Sequence, residues 1–172
     1  MDIPHRTRFE PTDDILATKG QRFTNFIVDI LLYYALCALI GIALGVLSVL
    51  AHKPGIIEAL QNMGNLTSYL LGAIILTLFF FITEALTKGR TLGKFITGTV
   101  VVDRDGLQAT SRQFFIRSIC RVIPFEPFSF LGSNRGWHDR YSDTYVVVKR
   151  LHVERMNQVV EFDEIGERSE VL

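Results

Sequence analysis

Two apolar runs set the terms for this chain: Phe23 to Leu50, in which Asp29 is the lone charge, and Leu66 to Thr83, which carries none. Each exceeds the roughly 17 residues that a helix needs to cross a ~30 Å hydrocarbon core. The 48% hydrophobic content of the 172 residues is concentrated there rather than spread as in a soluble core. Two transmembrane helices are predicted, at about 23–50 and 66–86. The first run is too long for a secretory h-region and follows a polar leader, so it is read as an uncleaved span.

Charge placement orients these spans. Arg6, Arg8, Lys19 and Arg22 precede the first run; Lys88, Arg90, Lys94, Arg104, Arg112, Arg117 and Arg121 follow the second; the connecting loop has Lys53 alone. The positive-inside bias then puts both termini in the cytoplasm and residues 51–65 outside. With a formal net charge of zero, no global basic field argues for nucleic acid.

Asp29 is what this arrangement has to explain. A carboxylate in hydrocarbon or at its edge costs roughly 2.5–3.5 kcal/mol on insertion scales, so it faces a partner, a watery cavity or a transported ion. Arg22, Asn25 and Asp29 fall at i, i+3 and i+7, one helical stripe about 10 Å long. Glu84 closes the second run on the same side of the bilayer and is placed to meet it. Asp29 is then either an ion- or proton-binding carboxylate or a structural partner of Arg22, Arg117 or Arg121. The other side of the helix carries Ala38, Gly41, Gly45 and Ser48, with Gly41 and Gly45 as a small-xxx-small pair suited to close packing. The two stripes cannot face one neighbour. One is predicted to meet the second span and the other a homo-oligomeric partner.

Outside the spans the patterns are shorter. Residues 1–19 read as a partly ordered cytoplasmic tail with an amphipathic end near Asp14 to Leu16. Lys53-Pro54-Gly55 breaks the first helix, and Ile56, Ile57, Leu60 and Met63 predict a short interfacial helix. β-Branched residues from Thr97 to Val102, a turn at Asp103 to Gly106, and a second run from Thr144 to Val148 predict a small cytoplasmic sheet, with the latter run on Val100 to Val102. Between them, Ser111 to Ile123 reads as an amphipathic helix. Phe115, Ile119 and Val122 share one face; Gln113, Arg117 and Arg121 share another, suited to an in-plane position with the arginines reaching headgroups or carboxylates. The aromatic stretch PFEPFSFLG suggests an interfacial or re-entrant loop, and Trp137 prefers an interface. Residues 149–172, rich in acidic side chains, read as a cytoplasmic tail of low order.

Several chemistries find no support. GRTLGK is one residue short of a phosphate loop and has Phe95 where a hydroxyl would hold magnesium, so nucleotide binding is rejected. Gly89 and Gly93 are read as turn formers at the membrane surface, with Arg90 and Lys94 holding the chain on the cytoplasmic side. Cys37, Cys120 and the histidines at 5, 52, 138 and 152 share no metal, haem or disulfide spacing. No nucleophile–base pair declares itself, so neither cofactor nor catalysis is expected.

Taken together, Arg22, Asp29, GRTLGK with FITGTVVVD and DG, the RSICR segment, and WHDRYSDTYVV with Asp139 resemble the RDD family of small bacterial membrane proteins, named for one arginine and two aspartates. The resemblance covers residues 20–148. It implies an integral protein of the bacterial cytoplasmic membrane in contact with lipid. Arg22, Asp29, Glu84, Arg117, Arg121 and Asp139 are read together as a charge cluster that either binds a ligand or ion or is structural. In that family transport of undefined ligands and sodium/proton exchange have been suggested. Many relatives have a further hydrophobic helix where this chain has PFEPFSFLGSNRG. The first reading is therefore transport of an unidentified ligand or cation/proton exchange within an oligomer. The second is a non-transporting membrane anchor or accessory interaction protein.

Overall fold

A computed structural model describes residues 9–52, 55–132 and 135–170. Among the described residues the two apolar runs form the two helices long and apolar enough to cross a membrane: α1 (Lys19–Leu50) and α3 (Asn65–Leu86). Thr18 starts α1 with a capping box, its hydroxyl accepting from the Gln21 amide while its own amide donates to the Gln21 side chain at 2.9 Å. At 1.5 Å per residue α1 is ~48 Å long, more than a bilayer core requires. The uncharged part from Ile30 to Leu50 suffices to cross, which leaves Asp29 at the boundary. Between the spans lies α2 (Gly55–Gln61), the expected short helix. Lys53 and Pro54, the expected break, lie outside the described residues, as do residues 1–8 of the leader.

Beyond α3 the chain builds a compact polar base. It contains α4 (Leu92–Thr97), β1 (Thr99–Asp103), α5 (Ser111–Cys120), a 3₁₀ helix (Glu126–Leu131), α6 (Trp137–Tyr141), β2 (Thr144–Val148) and α7 (Lys149–Glu170). The strands pair antiparallel with Val100 opposite Val147, Val101 opposite Val146 and Val102 opposite Tyr145, as predicted. Thr97, expected in the strand, instead ends α4, and Gly98 in the left-handed region (φ 69°) reverses the chain into β1.

The sheet sorts its two faces by period two. Val100, Val102, Tyr145 and Val147 pack with Ile15, Leu16, Phe9 and Leu151, whereas Val101 and Val146 pack with Ala17, Phe114, Phe81 and Ala85 of the span side. On that second face Thr99 and Thr144 also look toward the spans, and both are fully buried.

Three expectations are corrected here. The end of the leader is part of the sheet: Leu16 bridges to Val147, the Ala17 amide donates to the Val146 carbonyl, and the Val148 amide donates to the Ile15 carbonyl, each at 2.9 Å. Residues 149–170 are helical. Leu151, His152, Arg155, Met156 and Val159 are half-buried at helical spacing, so a one-sided apolar stripe outweighs the acidic composition.

The third correction concerns α5, which does not lie flat beneath the spans. Phe114 packs near Ala85, Phe115 meets Phe81, Arg121 covers the Phe80 ring, and Tyr69 donates to the Val122 carbonyl, so α5 runs antiparallel along α3. Its arginines reach carboxylates rather than headgroups. Arg117 is fully buried, whereas Phe115 and Ile119 point outward at 47% and 46% exposure.

Candidate functional site

The polar stripe of α1 is buried as a unit, with Arg22, Asn25, Asp29 and Tyr33 as the buried residues of that helix. Tyr33 reaches the second span at Gly72 and Phe79, while the base meets the polar stripe of Arg22, Asn25 and Asp29. Across it lies α4, the helix formed from TLGKFIT. Close approach is possible because residue 93 has no side chain: a Cβ there would sit 2.6 Å from the Asn25 carbonyl oxygen and 2.7 Å from its Cα. Gly93 is therefore a packing residue, and Gly89, at φ 87° with a Cβ position 2.8 Å from the Val101 carbonyl oxygen, is the one that turns the chain.

Asp29 holds the start of α4. Its carboxylate accepts from the Gly93 amide at 2.8 Å and from the Thr91 hydroxyl at 2.5 Å, and the Thr91 hydroxyl in turn accepts from the Lys94 amide at the helix N-cap. Among the described residues no cation lies within ion-pair distance of Asp29, so the expected pairs with Arg22, Arg117 and Arg121 are not formed. Asn25, one turn earlier, lies 2.6 and 3.0 Å from the hydroxyls of Thr97 and Thr99 and ties α1 to the end of α4 and the start of β1.

The arginines go elsewhere. Glu84, fully buried at the end of α3, receives Lys94 Nζ at 2.5 Å, Arg117 Nε at 3.2 Å and Arg121 Nη2 at 3.5 Å. Asp139, fully buried on α6, receives Arg22 Nη1 on one oxygen and Arg117 Nη1 on the other, the latter at 2.5 Å, while the Gly136 amide donates to it at 3.2 Å. Arg117 thus spans both carboxylates and also donates to Thr144 Oγ1 at 2.5 Å. One guanidinium joins α3, α5, α6 and β2. Lys94, expected to hold the chain at the cytoplasmic surface, is a buried partner of Glu84; Arg90 beside it stacks over Phe95.

Electrostatics follow from this pairing. Burial acts to raise the Asp139 carboxyl, but the charges of His138, Arg22 and Arg117 outweigh it and hold it well below the ordinary carboxylate range. Burial opposes the charge on Arg117 too, and the two carboxylates more than compensate and raise it. For Lys94 burial wins: its ammonium is pulled down to about 8 although Glu84 favours the charged form.

Sequence reasoning placed Arg22, Asp29, Glu84, Arg117, Arg121 and Asp139 in one cluster; the structure joins five of them by ion pairs and ties Asp29 to the start of α4 instead. Sequence reasoning missed a second layer. Glu126, in the 3₁₀ helix, is fully buried and binds both the His138 amide, at 3.2 Å, and the His138 ring, whose other nitrogen lies 3.3 Å from Asp139. Burial would raise the Glu126 carboxyl, but its bond to His138 lowers it. The isolated charge in PFEPFSFLG was the available signal. Gly41 and Gly45 lie outside the cluster, and a Cβ at either would meet no atom within 4 Å. Within the described chain they pack against nothing.

A partly open cavity of about 30 Å³ is lined by Arg22, Asp29, Lys94, Arg117, Arg121 and Glu126, with Asn25, Phe26, His138 and Val146 completing the wall. No group of acidic, histidine or cysteine side chains among the described residues is arranged to hold a metal ion.

The family model for the RDD family matches residues 16–143, a stretch that contains every member of the cluster and the leader strand at its start. No curated protein and no solved structure matches the chain.

Proposed function

Since the chain belongs to the RDD family of membrane proteins, we propose that it serves as a membrane-embedded accessory subunit whose buried charges lock a polar base onto two spans, rather than as a transporter in its own right. The observation that carries this reading is the engagement of the carboxylates: Glu84 with three cations, Asp139 with two arginines, Asp29 with the first turn of α4. Each oxygen of Asp29 accepts one structural donor, the Thr91 hydroxyl or the Gly93 amide, so the carboxylate is engaged in fixing α4. The reading assigns the base to the cytoplasm on the bias of Lys and Arg around it, puts the protein in the bacterial cytoplasmic membrane, and gives it no catalytic role.

Asp29→Asn is the test. A hydrogen bond to a charged acceptor is worth about 1.5–3 kcal/mol, so the neutral variant is expected to lower the unfolding temperature in detergent and the amount of protein in membranes. A variant that folds as well as the parent, together with cation-dependent proton flux in proteoliposomes that it abolishes, would overturn the reading in favour of exchange.

Exchange within an oligomer is the second reading, favoured by the charged cavity beside Asp29. Two spans do not enclose a path. The open face around Gly41 and Gly45 is where a second copy would complete one, and cysteine crosslinking along that face tests it.

A further inference from the structure

We propose that α5 and the turn after it form a re-entrant hairpin, which enters the bilayer from the side of the base, meets the acyl chains of that leaflet with Ile119, Ile123, Phe125 and Phe128, and returns without crossing. Its depth is set by α3. The apolar run from Leu66 to Thr83 is ~27 Å long at 1.5 Å per residue, so all of it is needed to fill a hydrocarbon core of ~30 Å. Whatever packs along that run lies at the same depth. Phe115 meets Phe81 with ring centroids 5.6 Å apart, Arg121 covers the Phe80 ring, and the Tyr69 hydroxyl donates to the Val122 carbonyl at 3.5 Å. Phe81 stands near the base end of the run, and from Phe115 to Val122 the chain climbs a further ~10 Å at helical rise, which brings it close to the middle of α3.

The surface of the hairpin suits hydrocarbon. Arg112, Phe115, Ile119 and Ile123 are exposed and fall in line on one helical face, so the one charge of that line sits at the shallow end, where an arginine reaches headgroups. The deeper charges turn inward: Arg117 to Glu84 and Asp139, Arg121 to Glu84, and Glu126 to His138. At the tip Phe125 takes a left-handed backbone (φ 64°), uncommon for a bulky residue, and leaves its ring 78% exposed. Irregular backbone survives at membrane depth only if its polar groups are met. Here the amides of Arg121, Val122, Ile123, Glu126 and Phe128 donate to carbonyls of the same segment, and Pro124 and Pro127 have no amide to satisfy. A second copy of the chain could also cover this face, but its continuity with the apolar side of α3 and its lack of an outward charge beyond Arg112 favour acyl chains. The inference needs only that α3 crosses a membrane, and it holds for an accessory subunit and for an exchanger alike.

Depth-resolved fluorescence quenching of the full chain in vesicles of brominated phosphatidylcholine tests this. Trp137 is the lone tryptophan, so Trp137→Phe gives a dark background in which Phe115→Trp, Ile119→Trp and Phe125→Trp each report one position. With bromines near the ends of the acyl chains, the loss of emission should grow from position 115 to position 125, and iodide in the water should cause little loss at 125. Iodide quenching at 125 as strong as that of free tryptophan would put the tip in water, and protection from both quenchers would mean that protein covers it. Either overturns the proposal, as does equal, shallow quenching at all three positions, the mark of a segment lying flat. If these variants lose the helix content of the parent, photolabelling of the unmodified chain from a diazirine on the acyl chain decides: label on residues 119–128 supports the hairpin, and label confined to the two spans overturns it.

Discussion

The base of the molecule and the outer halves of its two spans are held together by opposite means. In the base, Arg22, Glu84, Arg117 and Asp139 are buried and each meets an ionic partner inside the chain. Along the spans nearly all the apolar side chains face outward, and the helices meet through Tyr33, whose hydroxyl donates to the Gly72 carbonyl at 3.5 Å and whose ring lies 5.6 Å from Phe79. Apolar surface gains little by pairing with a neighbouring helix when lipid solvates it equally well. The relative placement of α1 and α3 is therefore specified from below, by charges that tolerate few alternative partners, and scarcely at all by the residues that cross the membrane.

The sharpest way to break that contrast is Arg117→Met, which nearly preserves volume while removing the one group that spans Glu84 and Asp139. Taking one partner from a buried ionic pair costs about 3–5 kcal/mol because the remaining charge is left uncompensated. Thermal unfolding in detergent and membrane abundance should both fall steeply. An unfolding temperature close to that of the parent would show that the base is held by its apolar sheet instead.

Gly93→Val ranks next. The added Cβ lands on the Asn25 backbone, which has no rotamer to yield, so α4 must move away from α1. Overpacking of this kind costs about 1–3 kcal/mol. The separation would also draw the Gly93 amide off Asp29, so the loss should be smaller in an Asp29→Asn background than in the parent; additive losses in a double-mutant cycle would count against the coupling of these two contacts.

How much of this was legible without coordinates follows the physics of each part. The spans came from long apolar runs and the strand pairing from two β-branched runs bounded by turn residues, signals strong enough to survive tertiary context. The cluster was legible as a set but not as a wiring diagram, because the stripe on α1 is geometry of one helix whereas its partner depends on where α4 lies. TLGKFIT hid that helix: at six residues it is too short for periodicity, and its β-branched ending reads as strand. For Arg117 the sequence left headgroups and carboxylates both open, for a related reason. In water an arginine face points out, but where apolar side chains have lipid to face, the buried side of α5 is the charged one.

A pH titration gives a smaller effect of definite sign. Asp139 has a folded-state carboxyl held below its unfolded value of about 3.9. Its contribution to stability is fully present above that value and is lost as pH falls through the lower folded one, because the unfolded chain binds the proton first. The acid limb of unfolding temperature against pH should therefore be steeper in the parent than in Asp139→Asn, whose limb lacks this proton. Parallel acid limbs would mean that Asp139 does not carry the linkage.

The smallest effect is expected where the spans are bare, and its smallness is the point. Gly41→Leu and Gly45→Leu place large side chains on a face where nothing lies within 4 Å, so the folded monomer has no contact to lose or to clash with. Unfolding free energy should stay within about ±0.5 kcal/mol of the parent, as remote surface substitutions show. The same substitutions block a close helix–helix approach through a small-xxx-small face, so any change they cause should appear in crosslinked oligomer yield and leave the base untouched. A loss of monomer stability equal to that of Gly93→Val would mean that the outer spans do specify their own packing, and the division between a charge-fixed base and a lipid-solvated pair of helices would fail.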